Sequence, residues 1–258
     1  MDGKDVIMTE SICLKDSYAK ECESTVLTVK DGKYVVLDKT VFYARGGGQP
    51  TDTGKIIVLS SEVSGLAGKE FRVLNVTKSE GQIIHEMDQD AQNAGLKTGD
   101  RVKCIIDWDR RYRLMRIHTA THVLAAIMNK EEGVLISGNE LGEQQSRIDF
   151  NLENPTREKI ESYIAKTNEA LKRNMEVKTY FLPREEALKL EGAVKLMGAL
   201  PPEIKELRIV EIGDVDRQAD GGTHVHNTSE VGEIELIKID NKGKSNRRIY
   251  FRLKESSA

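Results

Sequence analysis

The amino-acid sequence predicts an α+β protein: a small antiparallel β-barrel in residues 1–105, then an α/β domain in residues 106–258 whose helices pack on an antiparallel sheet. Two observations carry this prediction. The N-terminal part alternates apolar and polar residues in short runs between turns, which is typical of a small barrel. After Trp108, strand patterns are interspersed with amphipathic helical patterns, as in α+β domains. A chain of 258 residues is long enough for one or two domains.

The strongest local signal in the barrel is the hairpin at Asp31-Gly32, because this dipeptide favours the tight turn that joins antiparallel strands. Residues 25–44 alternate apolar and polar around it. His85 lies in a further strand, and we expect it to be structural. The remaining barrel strands are predicted at 55–60, 70–78, 81–88 and 101–108, with turns at 65–68 and 95–100.

The second part opens with a long amphipathic helix, capped by Asp109 and ended by Gly133. Its apolar face includes Leu114, Ile117 and Leu124. The later elements are predicted as a strand at 146–152, a helix opening at Pro155, a strand at 176–182, a helix at 183–190, a strand at 207–212 and a hairpin at 233–253.

Composition excludes several classes of protein. With 38% hydrophobic and 31% charged residues, and no apolar run of membrane-spanning length, we expect neither disorder nor a membrane partner. The N-terminus lacks the basic and apolar segments of a secretion signal. Three cysteines without a CxxC motif indicate a reducing compartment, so we expect a cytoplasmic protein. The net charge of −3 predicts no general attraction to DNA or RNA, so contact with RNA would depend on local patches.

Two basic clusters are candidate phosphate contacts, although either one is equally well explained as a solvated face. One opens the long helix and the other lies on the final hairpin: Arg110, Arg111, Arg113 and Arg116, and Lys242, Lys244, Arg247 and Arg248.

Two pairs of candidate metal ligands stand out, each with a spacing of four residues. His118 and His122 lie one helical turn apart on one face, although a bare pair of this kind is as often structural. Asp220 and His224 flank a Gly-Gly turn, whose glycines we expect at positive φ so that both side chains converge. Together the four predict one tetrahedral divalent-metal site per chain, with zinc as the ion. The alternative for Asp220 is a turn-stabilising role.

These motifs in combination resemble the editing domain of alanyl-tRNA synthetase and, more closely, the medium-length form of the free-standing AlaX trans-editing proteins. The resemblance covers nearly the whole chain and rests on FYARGGGQPTDTG (42–54), DWDRRYRLMRIHTATH (107–122), SGNELGEQQSRIDF (137–150) and GGTHVHNTSEVG (221–232). It implies an enzyme that acts alone and hydrolyses the ester between serine, or glycine, and the 3′ end of alanine tRNA.

The resemblance also implies roles for individual residues. Thr121 matches a threonine that lines the family's pocket, where its hydroxyl can bond serine; the alternative is a helix threonine that bonds back to the previous turn. Asn139 is a further candidate for this pocket. The glycine-rich motif, Gly46, Gly47 and Gly48, either gates the substrate or forms a tight interdomain turn. For tRNA contact, the candidates are Arg110, Arg111 and Arg113.

Two positions depart from the family pattern. Where the family usually has a cysteine as the third zinc ligand, this chain has Asp220, and a carboxylate is a harder ligand that lowers the preference for zinc. The glycine-rich motif usually reads Pro-Gly-Gly-Gly-Gly-Gln, whereas Ala44 and Arg45 precede the three glycines here. The missing cysteine keeps a second function class open: a non-catalytic module that binds tRNA or metal and retains the editing fold.

Overall fold

The computed structural model describes residues 8–153, 155–190, 204–243 and 246–255. Contacts between Cα atoms divide the chain into two compact units. The first comprises residues 1–46 and 50–111, and the second comprises residues 47–49 and 112–258. The short segment 47–49 therefore belongs to the second unit although barrel residues flank it in sequence.

The first unit contains a closed six-stranded barrel with the strand order β2-β3-β7-β6-β5-β8, in which all neighbours are antiparallel. In chain order the strands are β1 (Glu10–Ser11), β2 (Glu21–Lys30), β3 (Tyr34–Leu37), β4 (Lys39–Thr40), β5 (Gly54–Ser60), β6 (Glu70–Ser79), β7 (Gln82–Met87) and β8 (Arg101–Ile106). The predicted barrel is confirmed. The two-residue strand β4 lies within the predicted run 25–44, whereas β1 was not predicted, since it is too short to show alternation.

The hairpin and the role of His85 are also confirmed. Asp31 and Gly32 adopt φ values of 48° and 77°, and they lie in the three-residue loop between the paired residues Lys30 and Tyr34. His85 is fully buried. Its ring nitrogens lie 3.0 Å from the carbonyl oxygen of Val35 and 2.9 Å from the hydroxyl of Thr40, and burial lowers its pKa to about 4.

The later elements are α1 (Trp108–Glu132), β9 (Ile136–Glu140), β10 (Ser146–Phe150), α2 (Arg157–Leu171), β11 (Val177–Pro183), α3 (Arg184–Ala187), β12 (Glu206–Ile212), β13 (Asp216–Ala219), β14 (Ile234–Asn241) and β15 (Arg247–Leu253). They form two antiparallel sheets, β14-β15-β10-β9 and β11-β12-β13. Asn168 of α2 bonds both the N–H and the C=O of Ile234 on β14, so α2 packs on the first sheet. The α+β prediction is confirmed, with two sheets in place of one.

Several element ends differ from the predicted ones. The long helix begins at Trp108, so Asp109 lies inside its first turn, and Asp107 instead accepts a hydrogen bond from the N–H of Arg110 (3.4 Å). Gly133, with φ 65°, follows the last helical residue, as predicted. The second helix begins after Thr156, whose hydroxyl accepts from the N–H of Lys159. Within the described ranges no helix has both the length and the apolar composition needed to cross a bilayer.

Candidate metal centre

Helix α1 and the turn after β13 bring together the four predicted ligands. One donor atom from each of His118, His122, Asp220 and His224 lies within 4.8 Å of the others. The histidines are 1%, 5% and 2% exposed, and the Asp220 side chain is 13% exposed. The carboxylate is therefore the most accessible of the four groups. The cluster can hold a metal ion.

The donor atoms are close enough together for one ion to lie between them. Oδ1 of Asp220 lies 3.7 Å from Nε2 of His118 and 3.8 Å from Nε2 of His122, and Oδ2 lies 3.0 Å from Nε2 of His224. A tetrahedral ion with bonds of roughly 2.1 Å separates its ligands by about 3.4 Å. Three imidazoles and one carboxylate also form a donor set that zinc accepts.

Nδ1 of each histidine lies within hydrogen-bond distance of an oxygen outside the cluster. The pairs are His118 with Oε1 of Gln49 (3.0 Å), His122 with Oδ2 of Asp216 (2.9 Å) and His224 with Oγ1 of Thr119 (3.2 Å). Nδ1 of His122 also lies 2.7 Å from Nε2 of Gln218. Where an imidazole donates from Nδ1, it keeps the Nε2 lone pair for a metal. Metal-ligating histidines usually have such a partner, which fixes the tautomer and the ring orientation.

Sequence reasoning missed these three supporting residues. Gln49 lies 69 positions from its histidine and Asp216 lies 94 positions away, so no local periodicity links them. For Gln49, the available signal was its place directly after the glycine-rich motif. Thr119, adjacent to a predicted ligand, donates to the carbonyl of Met115 one turn earlier, which leaves its oxygen as an acceptor.

The electrostatics of the cluster suit metal binding. Burial lowers the pKa of His118 well below its usual range and that of His224 to about 4. Burial alone would raise the pKa of Asp220, but the electrostatic interaction with His118 and the hydrogen bonds with His122 and His224 outweigh it and lower that pKa well below its usual range. Burial also opposes protonation of His122, yet hydrogen bonds to Asp216 and Asp220 raise its pKa to about 9. A metal ligand must be an unprotonated imidazole nitrogen or an ionised carboxylate, and the lowered pKa values of His118, His224 and Asp220 are shifts in that direction.

Asp220 also stabilises the Gly-Gly turn, because its Oδ2 accepts a hydrogen bond from the N–H of Gly222 at 2.6 Å. The turn role considered for Asp220 is therefore present together with its place in the cluster. The expected positive φ at Gly221 and Gly222 is wrong, since neither residue adopts it. Gly222 instead permits a close approach: a Cβ there would overlap Cε1 and Nδ1 of His118.

The two pocket candidates occupy different elements. Thr121 is buried on α1, and its hydroxyl donates to the carbonyl of Ile117 at 2.7 Å, which is the backbone bond considered as its alternative role. The hydroxyl oxygen still has lone pairs with which to accept. Asn139 lies on β9 next to the glycine-rich motif, because a Cβ at Gly48 would overlap Oδ1 of Asn139.

The three glycines have different surroundings. Gly48 has φ 86° and its carbonyl accepts from the N–H of Leu141 at 2.8 Å. Gly47 is exposed with φ 57°. Gly46, in the first unit, is exposed, and its carbonyl accepts from the hydroxyl of Tyr43 at 3.0 Å.

The prediction that Arg111 contacts tRNA is wrong. Its side chain is fully buried and forms an ion pair with Asp52, whose side chain is also fully buried, so it offers no surface to a phosphate. Arg110 and Arg113 are half-buried and bond the carbonyl oxygens of Thr51 and Glu143.

The basic cluster on the final hairpin is also weaker than its sequence suggests. Arg247 is 3% exposed, and Arg248 makes two hydrogen bonds of 2.8 Å to the carboxylate of Asp149. Lys242 is exposed, and Lys244 lies outside the described residues. This cluster therefore offers little free cationic surface among the residues that the structure describes.

Known proteins match this chain over most of its length. Residues 207–250 match the family described as the threonyl and alanyl tRNA synthetase second additional domain, and residues 7–110 match class II (A) tRNA synthetases. The chain is 51% identical to the alanyl-tRNA editing protein AlaX-M of Methanosarcina barkeri, over 95% of this chain and 99% of that protein. Its namesake from Saccharolobus solfataricus is 46% identical over 96% and 100%. The alanine–tRNA ligase of Pyrobaculum aerophilum is 37% identical over 92% of this chain, but over 26% of the ligase.

Proposed function

The chain belongs to the AlaX-M family of alanyl-tRNA editing proteins, and on that premise we propose that it hydrolyses mischarged alanine tRNA in trans. The substrate is Ser-tRNA(Ala) foremost and Gly-tRNA(Ala) as a second possibility, and the reaction needs no ATP. The observation that carries the proposal is the convergence of His118, His122, Asp220 and His224 in a chain that matches editing proteins along their full length.

We further propose that these four residues hold one zinc ion per chain. Their spacing, their donor atoms and the three supporting hydrogen bonds all suit that ion. When bound, zinc supplies Lewis acidity toward an ester carbonyl or a water molecule. Asp220 is the most exposed of the four side chains, so the approach of a substrate is most open on its side.

Selection of the amino acid is the task we assign to Thr121 and Asn139. An aminoacyl ester is already activated, so hydrolysis depends mainly on positioning the reacting groups. Because the Thr121 hydroxyl donates to Ile117, its oxygen is left to accept the hydroxyl hydrogen of serine. Alanine lacks that group, so serine gains a partner that alanine cannot match. Asn139 and Gly48 lie together, which suits a wall of the same pocket.

For tRNA contact we keep Arg110 and Arg113 as candidates, and we keep substrate gating as the role of Gly46, Gly47 and Gly48. For the domain roles we keep the division predicted from the sequence, with the barrel domain in residues 1–105 and the hydrolytic site in residues 106–258. The free thiols of Cys13, Cys22 and Cys104 suit the cytoplasm, where charged tRNA is used.

The test is amino-acid release from alanine tRNA carrying serine, glycine or alanine, with wild type, Thr121→Val and Thr167→Val. Thr167 is a matched control, because it is also buried and its hydroxyl donates one turn back, to Tyr163, at 2.8 Å. We expect serine release with alanine spared. Thr121→Val should reduce that selectivity on the order of ten-fold, while Thr167→Val keeps it.

Two results would count against the proposal. If Thr121→Val keeps the full preference for serine, Thr121 has no role in selection. If the zinc-loaded protein binds alanine tRNA but releases no serine, the chain is a non-catalytic binding module.

A further inference from the structure

Gln49 directly follows the glycine-rich motif, and its bond to His118 has a consequence for the proton of that ring. Gln49 is fully buried in the second unit. Its Oε1 accepts from the backbone N–H of Thr223 at 3.0 Å, and its Nε2 donates to Oγ1 of Thr223 at 2.9 Å. The same Oε1 lies 3.0 Å from Nδ1 of His118.

The backbone bond fixes which way the Gln49 amide points. A backbone N–H can only donate, so the atom that faces the N–H of Thr223 must be the amide oxygen. If the amide were turned the other way, its NH₂ group would face the N–H of Thr223. Two buried donors would then lie together without an acceptor. Burying polar groups without partners is unfavourable. The oxygen of Gln49 is therefore held toward both Thr223 and His118.

The orientation of the amide then decides where His118 carries its proton. A carbonyl oxygen accepts but never donates, so Nδ1 of His118 must be the protonated nitrogen in the 3.0 Å contact. In the neutral ring, Nε2 is then unprotonated, and this is the nitrogen that faces Asp220 at 3.7 Å. We propose that Gln49 is a positioning residue that locks His118 in the Nδ1–H tautomer and so presents Nε2 to the metal.

The backbone of the motif explains why Gln49 can reach this position. Gly47 and Gly48 adopt φ values of 57° and 86°, which residues with a Cβ rarely adopt. The carbonyl of Gly48 is fixed by the N–H of Leu141. The chain passes from the exposed Gly47 to the fully buried Gln49 within two residues. The two glycines therefore allow Oε1 of Gln49 to reach Nδ1 of His118.

The inference rests on the metal part of the proposed function, so its test measures zinc affinity and tautomer state without measuring hydrolysis. Gln49→Met keeps the length of the side chain and removes the acceptor. Gln49→Glu keeps an acceptor for Nδ1–H and should restore binding. Thr223→Val is the matched control, because it removes a hydrogen bond from the same amide but leaves the backbone N–H that orients the oxygen.

We expect chelator competition to show zinc binding weakened by about 10- to 100-fold in Gln49→Met, the usual effect of losing such a partner. Gln49→Glu and Thr223→Val should stay within about three-fold of wild type, well short of that loss. A purely structural role predicts equal losses in Gln49→Met and Thr223→Val, which would overturn the inference. So would unchanged affinity in Gln49→Met.

A second measurement needs no variant. Nitrogen NMR of the wild-type histidines, with and without zinc, should find the proton of neutral His118 on Nδ1 in both states. A proton on Nε2 in the zinc-free protein would overturn the inference even if every variant misfolds. A wild type that takes up no zinc would overturn both this role and the metal assignment, while leaving hydrolysis to be judged by serine release.

Discussion

A single methyl group placed at one or the other residue of the Gly-Gly turn should separate a steric effect from a general effect on the turn. A Cβ at Gly222 would overlap Cε1 and Nδ1 of His118 and lie 3.0 Å from Oδ2 of Asp220. A Cβ at Gly221 would meet no heavy atom of the described residues within 4 Å, chain neighbours aside. Neither glycine has a positive φ, so alanine strains the backbone at neither position.

The size of the effect follows from the overlap. Carbon atoms pack at about 3.5 Å, so in Gly222→Ala the imidazole of His118 would have to move by more than about 1 Å. Metal sites keep their ligand distances within about 0.2 Å, so His118 would leave the site. Loss of a supporting partner alone costs 10- to 100-fold in affinity, so we expect loss of a ligand to weaken zinc binding by on the order of 100-fold or more.

Chelator competition on Gly222→Ala, Gly221→Ala and wild type measures this directly, with thermal unfolding of the zinc-free proteins as the control for folding. Gly221→Ala should bind zinc like wild type. Equal zinc affinities for the two alanine variants would mean that the overlap with His118 does not affect zinc binding.

Three further predictions concern other residues. Asp220→Cys should tighten zinc binding, because a thiolate is the softer ligand, and Asp220→Ala should weaken it; equal affinity in wild type and Asp220→Ala would mean that the carboxylate is not a ligand. Arg111→Met should reduce the free energy of unfolding by about 3–5 kcal/mol, because it leaves the buried carboxylate of Asp52 unpaired. A loss below about 1 kcal/mol, the scale expected for the partly exposed Arg113, would contradict the ion pair. A hydrogen bond with Cys104 lowers the pKa of Cys22 to about 7. Because alkylation requires the thiolate, the alkylation rate of Cys22 should rise with pH through a midpoint near 7. A midpoint close to that of an ordinary thiol would contradict this prediction.

The features that sequence alone predicted are those encoded over a few residues. The Asp31-Gly32 turn and the alternation of its flanking strands depend on neighbours in the chain, so the barrel could be predicted. His118 and His122 could be paired because helix geometry alone places residues four apart on one face. The two halves of the cluster were joined only by their matching chemistry and by the family resemblance.

The features that the sequence did not predict depend on contacts between distant residues. The bond from Gln49 to His118 spans 69 positions, and no periodicity encodes it. The need for glycine at 222 arises from the approach of His118, which a turn rule based on φ cannot anticipate.

Arg111 was misassigned because a run of arginines resembles a phosphate-binding patch. Helical spacing contained the correct signal, however. Arg111 lies three and four positions before Leu114 and Met115, both fully buried, so it shares their face of the helix. A charged residue on the apolar face of a helix is better interpreted as one half of a buried ion pair.

We propose that this cluster holds one zinc ion and that hydrolysis of the serine ester depends on it. A zinc titration of the metal-free wild-type protein, with serine release from Ser-tRNA(Ala) followed at each point, tests both parts together. We expect the rate to rise with zinc and to reach a plateau at one equivalent per chain, while Ala-tRNA(Ala) remains charged throughout. Serine release at full rate without metal, or no release at full zinc occupancy, would contradict it.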